Sequence, residues 1–175
     1  MAILSLDLVA AAPWGEELLQ DINLELDAGQ VLAILGPNGA GKTSLLNLLC
    51  GAVTPTRGDY RFGGRPMADW PISQRACSQA VLPQHSSLNF PYTVEEVILL
   101  GRTPHASGAT CDRLILDEVL TATDTLYLRD RLYTQLSGGE KQRVQLGRAF
   151  AQVWRAADSD LRLLMLDEPT AALDL

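Results

Sequence analysis

An α/β fold is predicted, with a mainly parallel sheet, an antiparallel β layer ahead of it and an inserted α-helical subdomain. Three patterns predict it. Ile22, Leu24 and Leu26 alternate with Asn23, Glu25 and Asp27, the period of a half-buried strand, and Asp27-Ala-Gly29 supplies the turn after it. Val31–Leu35 and Leu163–Leu166 are apolar throughout, as strands covered on both faces of a parallel sheet are. Residues 86–133 change character: helix-like segments at Thr93–Leu100 and Asp112–Ala122 flank a breaker-rich stretch from Gly101 to Gly108.

The remaining elements follow in order. After Val31–Leu35 comes a glycine-rich loop, then a helix from about Lys42 to Cys50 with Leu45, Leu48 and Leu49 on one face, ended by Gly51 with Pro55 and Gly58 beyond. Tyr60 and Phe62 alternate with Arg61 before Gly63-Gly64, a short edge strand. Val81-Leu82 closes a core strand at Pro83. A helix over Gly138–Trp154 carries Leu146, Phe150 and Val153 at i, i+4, i+7.

The chain of 175 residues is 47% hydrophobic and 20% charged, the profile of one globular domain. Such a length buries roughly 70% of the surface of the unfolded chain, enough for a real core. With 21 acidic against 14 basic side chains, the net charge of -7 excludes a broad nucleic-acid-binding face. Positive charge rests on arginine except for Lys42 and Lys141. Cys50, Cys77 and Cys111 are odd in number and lack metal-ligand spacing, so they read as reduced thiols, without zinc or disulfide. The apolar runs fall far short of the roughly 20 residues that span a bilayer, so membrane association is expected to be peripheral.

Two motifs carry chemistry. Gly36-Pro37-Asn38-Gly39-Ala40-Gly41-Lys42-Thr43 matches G-x-x-x-x-G-K-[ST] between the predicted strand and helix, with Ser44 next, and the class sharpens to a P-loop nucleotide-hydrolase core. Glycines let the backbone wrap a phosphate, N–H groups and the helix N-terminus supply positive potential, Lys42 adds a charge near the β- and γ-phosphates, and Thr43 offers a hydroxyl to Mg²⁺. Second, Asp167 and Glu168 end the apolar run Leu163–Leu166. In a P-loop protein such an aspartate holds Mg²⁺ and the adjacent glutamate orients or deprotonates the attacking water.

Leu136-Ser137-Gly138-Gly139-Glu140, followed by Lys141-Gln-Arg-Val, resembles the signature motif of ATP-binding cassette (ABC) proteins. The resemblance implies binding and hydrolysis of ATP with Mg²⁺, and a head-to-tail homodimer in which Ser137, Gly138 and Gly139 of one subunit face the γ-phosphate held by the other. Gln84 resembles the glutamine that senses Mg²⁺ or water, and Trp14 the aromatic that stacks on adenine. Ala171-Ala-Leu-Asp174 resembles the segment whose aspartate crosses to the partner. It further implies a core over residues 1–84 and 134–175 and a helical subdomain over 85–133. The family's switch histidine follows the acidic strand at a distance that this sequence does not reach. The sequence is therefore expected to be about the first two-thirds of a cassette, a fragment or a truncated product, with its hydrolytic activity in question.

Within the family, Leu82–Val97, Leu100-Gly-Arg102, Pro104-His105, Arg131–Gln135 and Val153–Asp160 resemble the ATP-binding subunits of bacterial haem (hemin) importers. That likeness implies a place at the cytoplasmic face of the inner membrane beside a permease dimer, indirect dealings with a periplasmic haem-binding protein, and no nucleic acid. Importers of siderophores or cobalamin, and non-transport ABC ATPases, are the alternatives. His85 and His105 read as solvated loop histidines rather than haem ligands. Leu88, Phe90, Tyr92 and Val97 read as core or as the groove that receives a permease helix.

Overall fold

Ala2–Ala11 form a ten-residue strand, β1, around which the first part of the molecule is assembled. The structure is a computed structural model. It describes residues 2–15, 17–84, 88–155 and 161–167, and falls into two units, Met1–Ile72 and Ser73–Leu175. In the first unit β1 pairs antiparallel with β2 (Leu19–Asp27). Helix α1 (Lys42–Leu49) follows, then β3 (Arg57–Phe62) and the two-residue β4 (Arg65–Pro66). The sheet order is β2-β1-β3-β4.

Register explains the burial. Leu4 lies opposite Leu26 and Phe62, and Leu6 opposite Leu24 and Tyr60, so one face of the sheet is apolar while Asp7, Asp59 and Arg61 stand in solvent. The alternation breaks at a bulge where Leu8 takes a φ of 48° and its N–H is held by Asn23 Oδ1 at 2.9 Å. Gly58 lies against that bulge, and a β-carbon there would come 2.5 Å from the Leu8 carbonyl oxygen. Tyr60 donates its hydroxyl to the carbonyl of Leu49, tying the last turn of α1 to β3. The strand read as an edge from Tyr60 and Phe62 is interior, because the chain reverses through Gly63-Gly64 to add β4 outside it.

The second unit contains α2 (Ile72–Ser78), whose first residue sits at the boundary, then β5 (Gln79–Leu82), α3 (Val94–Leu99), α4 (Ala109–Ala122), α5 (Gly138–Val153) and β6 (Leu163–Leu166). β5 and β6 run parallel, with Ala80 opposite Leu164 and Leu82 opposite Leu166. Helix α5 serves two surfaces. Val144 and Ala151 face a core of Val94, Val97, Ile98, Ile115, Leu116, Val119 and Leu120 from α3 and α4, while Ala149, Leu146 and Val153 pack with β5 and β6. The stripe predicted for this helix, Leu146, Phe150 and Val153, is only half-buried. Three of the five buried positions of α5 are Gly147, Ala149 and Ala151, and at Gly147 α3 approaches so closely that a β-carbon would meet Ile98 at 3.2 Å.

One expectation fails. Val31–Leu35 is not a strand: no β ladder reaches it among the described residues, and Val31 and Leu35 are 96% and 90% exposed. A strand requires neighbours for its N–H and C=O groups and cover for its faces; apolar composition alone supplies neither. The strand β1 and helix α2 were not anticipated, and α4 begins three residues earlier than its apolar spacing indicated. Among the described residues no helix is long and apolar enough to cross a membrane.

Candidate functional site

The phosphate loop is shaped by its glycines. Gly39 and Gly41 take φ values of 83° and 87°, a left-handed conformation that other residues adopt only at a cost, and Gly41 is the N-cap of α1. Lys42 turns back over the loop and donates to the carbonyls of Gly36 at 2.9 Å and Pro37 at 3.0 Å. No side chain caps α1 and no acidic residue occupies its first turn, so the positive end of the helix is uncompensated by its own residues. Residues 36–40 and Thr43 are exposed and Ser44 is buried. The Cα of Gly41 faces Leu19 and Leu18, where a β-carbon would lie 3.6 and 3.9 Å away, so the start of β2 abuts the loop. Trp14, on the connection leading to β2, is 81% exposed and presents a free indole face.

In the second unit, Asp167 follows β6 with its side chain buried, and its N–H bonds the Leu82 carbonyl at 2.9 Å. Gln84 lies two residues past that carbonyl, exposed at the same carboxyl end of the β5–β6 pair. Loops at this end of parallel strands are where α/β folds place ligands. Glu168, Asp174 and His85 lie outside the described residues.

Ser137 is the N-cap of α5. Its N–H and its hydroxyl both donate to Glu140 Oε2 at 2.8 Å, and the N–H of Glu140 reaches back to Ser137 Oγ at 3.4 Å, a complete capping box. The bonds from Ser137, backbone first and then hydroxyl, hold the Glu140 carboxyl below its ordinary range, helped by the charges of Arg131 and Arg143. Ser137 and Gly138 are exposed, and a β-carbon on Gly138 would meet nothing within 4 Å. Thr93 and Glu96 cap α3 in the same way. The spacing S-x-x-E and T-x-x-E carried that signal in the sequence, and the role of Glu140 follows from it.

Each unit offers oxygen groups of the kind that Mg²⁺ takes: the Thr43 hydroxyl in the first, and the Asp167 carboxylate and the Gln84 amide in the second. Mg²⁺ is bound by one or two carboxylates together with substrate phosphates rather than by an all-protein cage, and Asp167 is a carboxylate suited to that habit. No cluster of three or more His, Cys, Asp or Glu able to hold a metal occurs among the described residues.

The sequence profile of ABC transporters matches residues 19–171, which include the phosphate loop, the Ser137 turn and Asp167. The chain belongs to the ABC transporter family. Its fold is accordingly that of a P-loop ATPase with an N-terminal antiparallel sheet and a helical subdomain. The chain is 53% identical over 163 residues to the hemin import ATP-binding protein HmuV of Gloeobacter violaceus, covering 92% of this chain and 59% of that protein. The namesake from Pseudomonas entomophila is 53% identical over 158 residues, covering 90% and 61%. The chain thus spans about 60% of the length of the curated relatives it matches. Among solved structures, cbiO1 of Clostridium perfringens, part of the ABC transporter complex cbiONQ, superposes with a TM-score of 0.82 at 27% identity, covering 99% of this chain and 68% of that one. The ATP-binding subunit of another ABC transporter superposes with a TM-score of 0.81 at 25% identity, covering 98% and 68%.

One histidine stands differently from expectation. His105 is half-buried rather than solvated, its Nε2 2.7 Å from the Gln152 carbonyl oxygen. Of the four residues read as core or groove, Val97 is core and Leu88 packs against it, while Phe90 and Tyr92 form an exposed aromatic pair with ring centroids 6.1 Å apart.

Proposed function

We propose that this chain is the ATP-binding and hydrolysing part of a subunit that energises an importer, with haem (hemin) as the cargo. The observation that carries the reading is the phosphate loop, a cation folded over carbonyls at the open end of a helix with two left-handed glycines. The cargo follows the relatives named for hemin import.

In this reading Lys42 exchanges the Gly36 and Pro37 carbonyls for the β- and γ-phosphate oxygens of ATP, and the N–H groups from Gly39 to Thr43 surround the β-phosphate. Trp14 stacks on adenine. Thr43, Asp167 and Gln84 hold Mg²⁺, which when bound neutralises charge on the phosphates. Glu168 takes the proton from the attacking water, and Lys42 stabilises the charge that develops on the γ-phosphoryl oxygens. Ser137, Gly138 and Gly139 meet the γ-phosphate held by a second copy arranged head to tail, with Asp174 crossing between the two. Residues 1–84 and 134–175 form the core and 85–133 the helical subdomain. The exposed Phe90–Tyr92 pair suits a permease helix, which would place the subunit peripherally at the cytoplasmic face of the inner membrane.

The test is equilibrium binding of a fluorescent ATP analogue with Mg²⁺ to the unaltered chain and to Lys42→Ala. Removing a charged donor from phosphate weakens binding by about 10- to 100-fold. Equal affinity in the two chains rejects the phosphate-loop reading.

A further inference from the structure

The segment Gly101–His105 belongs to no part of the chemistry above, yet it is seated on the far end of α5. Gly101 lies so close to that helix that a β-carbon would come 2.2 Å from the Arg148 carbonyl oxygen. Arg102 is almost wholly buried and spends three donors. Nε goes to Asp112 Oδ1 at 2.9 Å, Nη2 to Ser107 Oγ at 2.9 Å and Nη1 to the Ala151 carbonyl at 2.8 Å. Ser107 in turn donates to the same Asp112 oxygen at 2.8 Å. Cys77 Sγ, at the end of α2, donates to the Pro104 carbonyl at 3.3 Å. His105 Nε2 then donates to the Gln152 carbonyl.

The last four carbonyls of a helix have no partner within it. Arg102 and His105 supply partners for two of them, Ala151 and Gln152, from one short loop. The Gln152 side chain extends the connection, donating to the carbonyls of Ala76 and Gln79 at 2.9 Å each and so reaching α2 and β5. The end of α5 opposite Ser137 is thereby fixed to three elements by groups that bond in definite directions. The helix has 16 residues, a rod of about 24 Å, so a small tilt at its fixed end becomes a displacement of its N-cap.

We propose that Gly101–His105 is a clamp, and that Arg102 and His105 are positioning residues which set the attitude of α5 and hence the place of Ser137. The inference rests on the reading of Ser137 as a phosphate contact. The requirement at residue 105 is for one hydrogen-bond donor, not for a titrating or metal-binding ring. A glutamine, whose amide N–H reaches a similar distance, therefore preserves the clamp and an alanine opens it. At residue 102 a lysine keeps the charge but cannot serve Asp112, Ser107 and Ala151 from one plane, so charge alone does not suffice.

The experiment compares the unaltered chain with His105→Gln, His105→Ala and Arg102→Lys by amide hydrogen exchange resolved at residues 138–141, by affinity for a fluorescent ATP analogue with Mg²⁺, and by ATP turnover. Exchange at 138–141 rises several-fold and turnover falls about tenfold in His105→Ala, both return in His105→Gln, and nucleotide affinity stays constant in both. Should Arg102→Lys fail to fold, the two His105 variants still decide. Equal damage from Gln and Ala overturns the donor role. Unchanged exchange at 138–141 in His105→Ala overturns the positioning role, and affinity falling in step with turnover reduces the clamp to a general prop. If the unaltered chain does not bind the analogue, the nucleotide reading fails, while the exchange comparison still tests whether the clamp moves the N-cap.

Discussion

Val31–Leu35 and Leu163–Leu166 have the same character as sequences, short and apolar from end to end, and opposite fates in the structure. Leu163–Leu166 is a strand because β5 lies parallel to it in register and α5 covers it with Ala149, Leu146 and Val153. Val31–Leu35 has no ladder among the described residues and stands largely in solvent. The hydrophobic effect rewards removal from water, so an apolar residue contributes only when other residues stand over it. The five residues ahead of the phosphate loop and the four ahead of Asp167 differ in their company, not in their chemistry.

Truncating the covered strand has the largest expected effect. Met165→Ala removes a buried side chain of β6 and should lower stability by about 2–5 kcal/mol in urea unfolding, whereas an unchanged midpoint would show that β6 is not core. An intermediate effect comes from loosening the helix that covers this strand. The Asp112 carboxyl lies below its ordinary value: burial pushes it up, and the hydrogen bonds from Arg102 and Ser107 with the charges of Arg102 and His105 outweigh that. A depressed carboxyl stabilises the fold above its unfolded value near pH 4 and loses that contribution as pH falls through the folded one. Asp112→Asn should therefore cost about 1–3 kcal/mol at pH 7 and make the urea midpoint fall less between pH 5 and pH 3; parallel pH profiles would break the assignment. The smallest effect belongs to the exposed run. Val31→Ala should shift stability by less than about 0.5 kcal/mol, and a loss like that of Met165→Ala would mean that residues 31–35 are covered in solution.

Most elements were legible where a local signal existed. The alternation from Ile22 to Asp27, the helix closed at Gly51 and the helices of the insertion depend on residues within a turn or a pleat of one another. The alternation Leu4-Ser5-Leu6-Asp7-Leu8 in β1 is short and ends at the bulge, beyond which Val9, Ala10 and Ala11 are all buried, so no single period of two runs the length of the strand. The Val31–Leu35 strand misled because the missing information, a neighbour, is non-local. At the candidate site, Lys42, Thr43, Asp167 and Ser137 were marked by motifs. The capping role of Glu140 was present as spacing alone. Arg102 and His105 could not be assigned from sequence, since their partners, the carbonyls of Ala151 and Gln152, lie almost 50 residues on and carry no side-chain signature.

Lys42 already lies folded onto the Gly36 and Pro37 carbonyls. An extended lysine gives up about 1.5–2 kcal/mol of rotational freedom when its ammonium is fixed. Here much of that loss precedes any encounter, and two of the three donors exchange one set of oxygens for another while the third remains to be taken up. Anion capture at this loop is thus closer to a substitution than to a recruitment, and its affinity depends on how much better a phosphate oxygen accepts than a peptide carbonyl.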